Sequence, residues 1–340
     1  MQDGTVQRSR TGVRKHVRQS RQFATGIAAA LSSALFLGFT PIFGKQAILF
    51  GMPPLAVVAI RTVLAALILL CVMFAFQRQY FYIYPAGLMG CFLAGGINGI
   101  GSLLYYSSLG RIDASVGQLL YSFYPLFVAL WLTLDHQPLN RLTLVRLILV
   151  LPALYLLTQT GQEGVDMLGM AMMLGASALY ALHLPINQRV LFDMPAPTVT
   201  LYTLIAMSAV VTPAYLLSAF GNLHLAYWAS ISGRAWWAVL GLTMVTFFSR
   251  LTLFLGVKHL GGMQTALLGL SELLVTVVFA QFLLGERLSQ PQWAGTVLLV
   301  ITLLMVRLDK TPPKGYTPGG WLRWLRPPSL PSDFPWQPHD

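Results

Sequence analysis

Two ionisable residues stand inside segments otherwise apolar enough to lie in lipid: Arg250, and Glu272 in the segment that follows it. A charge at membrane depth costs at least ~2.5 kcal/mol, so such a group faces a cavity or a partner. A carboxyl group there can take up a proton or bind a cationic group, and a guanidinium can hold a carboxylate. Counted from the same bilayer face, Arg250 lies about seven residues (~11 Å) and Glu272 about nine residues (~13 Å) along its segment, at ~1.5 Å per residue. The two therefore reach one depth, where they can serve a substrate or fix two helices as a buried ion pair.

Five further residues join them as candidates for a substrate or proton pathway. Arg61 lies well inside the second apolar segment; its long stem is expected to snorkel to the surface, and turned inward it would suit an anionic group. Arg146, near one end of the fifth segment, is likewise expected to snorkel. His183 precedes Pro185 by two residues, and a histidine on an apolar helix is either hydrogen-bonded packing or a proton switch. Asn98 and Gln118, with Gln264, are polar groups that must bond across helices. Tyr121 belongs with Tyr105, Tyr106 and Tyr124 to an aromatic group that lines a pocket or packs helices together.

The motifs of hydrolytic and nucleotide chemistry do not accompany them. The chain has no His-Glu-x-x-His, no Gly-x-Ser-x-Gly and no phosphate-cradling loop ending in Gly-Lys-Ser/Thr, so no catalytic residue, metal or cofactor is expected. Asp135 and His136 are adjacent but read as the end of a helix. Cys71 and Cys91 fall in apolar segments and read as small packing residues, not as a disulfide or metal framework.

The elements that must position these groups are membrane helices. With 56% apolar and 10% charged residues, the chain has more apolar side chain than one soluble core can bury, which makes it an all-α membrane protein. Ten stretches are long enough to cross ~30 Å of hydrocarbon: 25–46, 54–76, 85–108, 112–134, 140–159, 167–188, 197–219, 235–257, 263–284 and 290–308. Residues 1–21 form a basic tail and residues 310–340 a Pro-rich one. Fifteen Lys and Arg fall on the side of the two tails and four (Lys45, Arg111, Arg234, Arg287) on the other, an asymmetry that puts both termini in the cytoplasm. The net charge of +11 therefore reflects topology and anionic lipid, and no nucleic-acid partner is expected.

The two halves resemble each other. Ala34, Leu35, Pro41 and Ile42 match Ala178, Leu179, Pro185 and Ile186, with Lys45 matched by Arg189; the stretch from Ser107 to Asn140 also corresponds to that from Phe254 to Ser289, allowing a one-residue shift. The repeats cover 22–159 and 166–308. Five spans in each turn the second copy upside down, and such inverted repeats are the signature of many secondary transporters.

With these features the chain resembles the EamA family of the drug/metabolite transporter superfamily. The resemblance rests on Phe43-Gly44-Lys45, on Ser122, Pro125, Leu126 and Phe127, and on Ser271-Glu272 with the closing Gly285-Glu286-Arg287-Leu288. It implies a ten-helix carrier for small metabolites such as amino acids, often an exporter, with cytoplasmic termini and a central cavity. The chain departs from the family where Asp135-His136-Gln137-Pro138 replaces Gly-Glu-Arg and where Leu273 stands in place of a proline. The partners expected are a small-molecule substrate, the lipid bilayer and protons, for a monomer or homodimer in the cell (plasma or inner) membrane. A membrane-embedded enzyme or a non-transporting receptor or scaffold is the alternative.

Overall fold

A computed structural model describes residues 22–112, 114–136, 139–157, 166–191, 194–219, 231–284 and 290–305. The two expected tails and the Gly285–Leu288 motif lie outside the described residues. Among the described residues the chain is helical, with no strand. In chain order the helices are α1 (22–37), α2 (Thr40–Leu49), α3 (Pro54–Phe76), α4 (Pro85–Leu109), α5 (Ala114–Tyr121), α6 (Tyr124–Leu134) and α7 (Arg141–Leu157). The second half holds α8 (Met167–Leu191), α9 (Ala196–Ser218), α10 (Gly233–Leu260), α11 (Gly262–Gly269), α12 (Ser271–Leu284) and α13 (Gln290–Leu304).

Proline punctuates this order. It occupies the first turn of α2, α3, α4, α6 and α9, where its missing N–H would have had no intrahelical partner and its fixed φ favours the helix. Among the described residues six helical stretches are long and apolar enough to cross a membrane: Gln22–Leu49, which joins α1 and α2, with α3, α4, α8, α9 and α10. Their outward faces carry exposed Leu67, Phe74, Phe92 and Trp237, an apolar belt that only lipid would solvate. The protein is thus a multi-pass membrane protein.

Three interruptions shape the interior. The chain turns at Gly38-Phe39 between α1 and α2, at Ser122-Phe123 between α5 and α6, and at Leu270 between α11 and α12. Carbonyls freed there are taken up by side chains, as membrane depth requires: Thr276 donates to Gly38 O at 3.0 Å and Ser271 to Leu268 O at 2.8 Å.

The two repeats pack through each other. Helix α4 of the first runs against α8 and α9 of the second, and its glycines permit the approach. A Cβ at Gly95 would stand 2.5 Å from the Thr203 carbonyl oxygen, and one at Gly101 3.2 Å from Leu179 Cβ. The stripe Gly26, Ala30, Gly38 plays the same part for α1, meeting Leu260, Gly256 and Val275. Small residues at such seams let backbones close up.

Two expectations about charge are corrected. Arg61 and Arg146 do not snorkel: they are 5% and 0% exposed. Arg61 turns into the interior, and Arg146 donates to Gln264 Oε1 at 2.7 Å. Arg189, in the last turn of α8, is buried and ion-paired with Asp135 of the other repeat.

Candidate functional site

A small cavity of about 40 Å³ lies between the repeats, room for a few waters. Each repeat contributes to its wall. Arg61 comes from α3; Asn98, Ser102, Tyr105 and Tyr106 from α4; and Gln118 and Tyr121 from α5. The second repeat supplies Tyr180 from α8, Thr246 and Arg250 from α10, and Glu272 from the first turn of α12. Six of the seven residues expected from sequence line this one space. The seventh, His183, stands behind Arg250 and touches it.

Glu272 is held by an amide and not by a cation. Gln118 Nε2 donates to its Oε1 at 2.9 Å, and Tyr105 donates in turn to Gln118 Oε1 at 3.3 Å. The break at Leu270 places the carboxyl in the first turn of α12, where the positive end of a helix dipole favours negative charge. Only 2% of Glu272 is exposed.

Arg250 is held by neutral groups as well. With the Asn98 amide oxygen turned toward it, as a guanidinium donor requires, Asn98 accepts from both terminal nitrogens at 2.9 and 3.1 Å. His183 Nε2 lies 3.4 Å from Arg250. A guanidinium cannot accept a hydrogen bond, so this nitrogen is the acceptor, and Nδ1–H donates to the Tyr180 carbonyl. His183 is therefore a positioning residue held in one tautomer. The Tyr180 ring lies 5.8 Å from the guanidinium carbon.

Among the described residues Arg250 and Glu272 form no ion pair with each other; the ion pairs there are Arg189–Asp135 and Arg111–Asp166. One depth and one cavity bring the two charges together, while each is oriented by its own polar neighbours. Arg61 completes the charged set, donating to Thr246 Oγ1 at 2.9 Å and lying 4.8 Å over the Tyr106 ring. Tyr121 packs between Tyr105 and Tyr180, with ring centroids at 5.0 and 5.2 Å. Tyr124 is drawn away to the Ala266 carbonyl. Buried polar groups with so many satisfied bonds make a preorganised wall.

Ser102, Thr246 and Tyr180 are site residues that sequence reasoning missed. Thr246, Ser249 and Arg250 follow a spacing of three and four, a polar stripe on one helical face that was available to be read. No group of three or more His, Cys, Asp or Glu side chains among the described residues could hold a metal ion.

Comparison with known proteins agrees with this architecture. A solved crystal structure superposes with a TM-score of 0.66 at 16% identity, covering 84% of this chain and 99% of its own; at that identity the likeness shows the fold alone. No curated protein matches the sequence. The model of the EamA-like transporter family matches twice, over residues 24–159 and 167–308. Those two segments take in the cavity-lining helices of both repeats, and the chain belongs to the EamA-like transporter family, whose members are transporters of the drug/metabolite type.

Proposed function

We propose that the protein is a secondary carrier that exports a small metabolite, such as an amino acid or a related compound, across the plasma (inner) membrane. The observation that supports this best is the shared cavity, where Glu272 and Arg250 are buried together yet each is held by neutral groups. A pair serving only to lock two helices would bond to itself; groups held apart remain available to a ligand.

In this reading α1 with α2, α5 with α6, and α11 with α12 are three interrupted spans, which together with the remaining helices make ten in two inverted sets of five. Both termini are cytoplasmic, so Lys45 lies at the outer end and Arg189 at the inner. The halves rock about the cavity, opening one end at a time.

Flux of a metabolite panel into liposomes containing only this protein is the deciding measurement. Substrate-dependent uptake supports the carrier, and its complete absence across the panel favours a receptor, scaffold or enzyme. Cross-links placed separately near Lys45 and near Arg189 should trap opposite-facing states; equal solvent access to the cavity in both would count against rocking. Glu272 is also the group suited to carry a proton, so Glu272→Gln should flatten the pH dependence of flux. An unchanged profile would remove protons from the cycle.

A further inference from the structure

We infer that the cavity takes a small organic anion whose carboxylate is received by Arg61 and Tyr106, an assignment that rests on the carrier reading above. Three charged side chains among the described residues line the space: Arg61, Arg250 and Glu272. Guanidinium groups stay charged. Two of them against one carboxyl leave an excess of positive charge whether or not Glu272 holds a proton. His183 does not add to it, since its Nε2 accepts from Arg250. Asp135 and Arg189 pair with each other elsewhere, outside the cavity lining. Unbalanced charge in a poorly solvated space is costly, and a mobile anion is what relieves it.

The two arginines are not equivalent. Arg250 is engaged by Asn98 and His183, which fix its plane. Arg61 donates to two hydroxyls, Thr246 at 2.9 Å and Ser102 at 3.5 Å, and has no anionic partner. Its Nε is buried with no hydrogen-bond partner, and so is the hydroxyl of Tyr106, whose ring lies beneath the same guanidinium. Arg61 is 5% exposed and Tyr106 1%, so leaving those donors without an acceptor is expensive. Nε–H and a phenolic O–H supply two donors for one carboxylate, and the charge assistance strengthens both bonds. Glu272, on the α12 side, repels negative charge and confines carboxylates to the side of the arginines.

The test is a charge series on one five-carbon skeleton, carried out on the full chain in proteoliposomes with glutarate, glutamate, glutaramide and 1,5-diaminopentane. Glutarate and glutamate should be carried, glutaramide about tenfold more slowly or worse, and the diamine not at all. Arg61→Gln should reduce the sub-saturating rate for the anions by about tenfold or more, the effect of losing a charge-assisted contact, and Arg61→Lys should restore part of it. Thermal unfolding of each variant checks folding; if Arg61→Gln does not fold, Tyr106→Phe and the wild-type charge series decide. Glutaramide or the diamine carried as fast as glutarate would overturn the anion site while leaving the carrier standing. Stabilisation by glutarate without flux of any probe would do the opposite, keeping the anion site and sinking the carrier. If neither anion is carried nor raises the unfolding temperature, the anion site is overturned.

Discussion

Lys45 and Arg189 occupy matching positions in the two repeats, yet they end in different electrostatic settings. Lys45 donates to the carbonyls of Leu109 and Ile112 at 2.9 and 3.1 Å, staying within its own repeat at the negative end of α4. Arg189 crosses to the other repeat and pairs with Asp135, the two side chains being 4% and 0% exposed. At the Lys45 end the cross-repeat ion pair is Arg111–Asp166, with side chains 46% and 36% exposed. One end is joined by a desolvated pair and the other by a hydrated one. The lesson is that repeat symmetry fixes where a basic residue stands, while burial fixes what it does.

The largest expected effect is at the buried pair. Asp135→Ala strips Arg189 of its carboxylate and should cost ~3–5 kcal/mol of stability in denaturant titration, whereas Asp135→Ala with Arg189→Leu should recover most of it. A single variant as stable as wild type would break the contrast between the ends. Lys45→Met removes two bonds from a half-buried ammonium and should cost about 1 kcal/mol by the same measurement.

Asp166→Asn should have the smallest effect. Asp166 also caps α8, accepting from Leu168 N and Gly169 N at 2.8 and 3.3 Å, and asparagine keeps that cap, so the variant isolates the charge. The Arg111 hydrogen bond first, then the Gly169 amide, holds the Asp166 carboxyl below its ordinary value of 3.8. Its contribution is therefore present above that ordinary value and lost as pH falls through the lowered one. Hydration and salt screen the pair. Unfolding temperatures of wild type and Asp166→Asn should agree within error at neutral pH, with any residual gap closing in acid; a large gap at neutral pH would erase the distinction between hydrated and desolvated ends.

Much of the helix plan was legible in the sequence because long apolar runs bounded by proline leave few alternatives. The expected span 54–76 coincides with α3, and 167–188 begins where α8 begins. The break in α11 and α12 was not legible: the family's proline is replaced by Leu273, and the turn at Leu270 is marked only by Gly269. Depth along a helix follows from counting residues, which is why Arg250 and Glu272 could be brought to one level. Rotation about the axis does not follow from counting. Arg61 was expected to snorkel on depth alone, although Val57 and Ala65, one turn to either side, are fully buried and show which way that face looks. The amides that hold the charges depend on contacts between helices far apart in sequence, Gln118 with Glu272 and Asn98 with Arg250, and no local pattern encodes those.

The glycine face of α4 bears on speed. Where it meets α8 and α9 there are few knobs to lift out of holes, so a shift of one repeat against the other meets little steric friction and few rotamer changes. A methyl at Gly99, which would come within 3.0 Å of Val210, would act as a detent. Such a change should slow turnover while leaving the affinity of the resting cavity for its ligand unaltered.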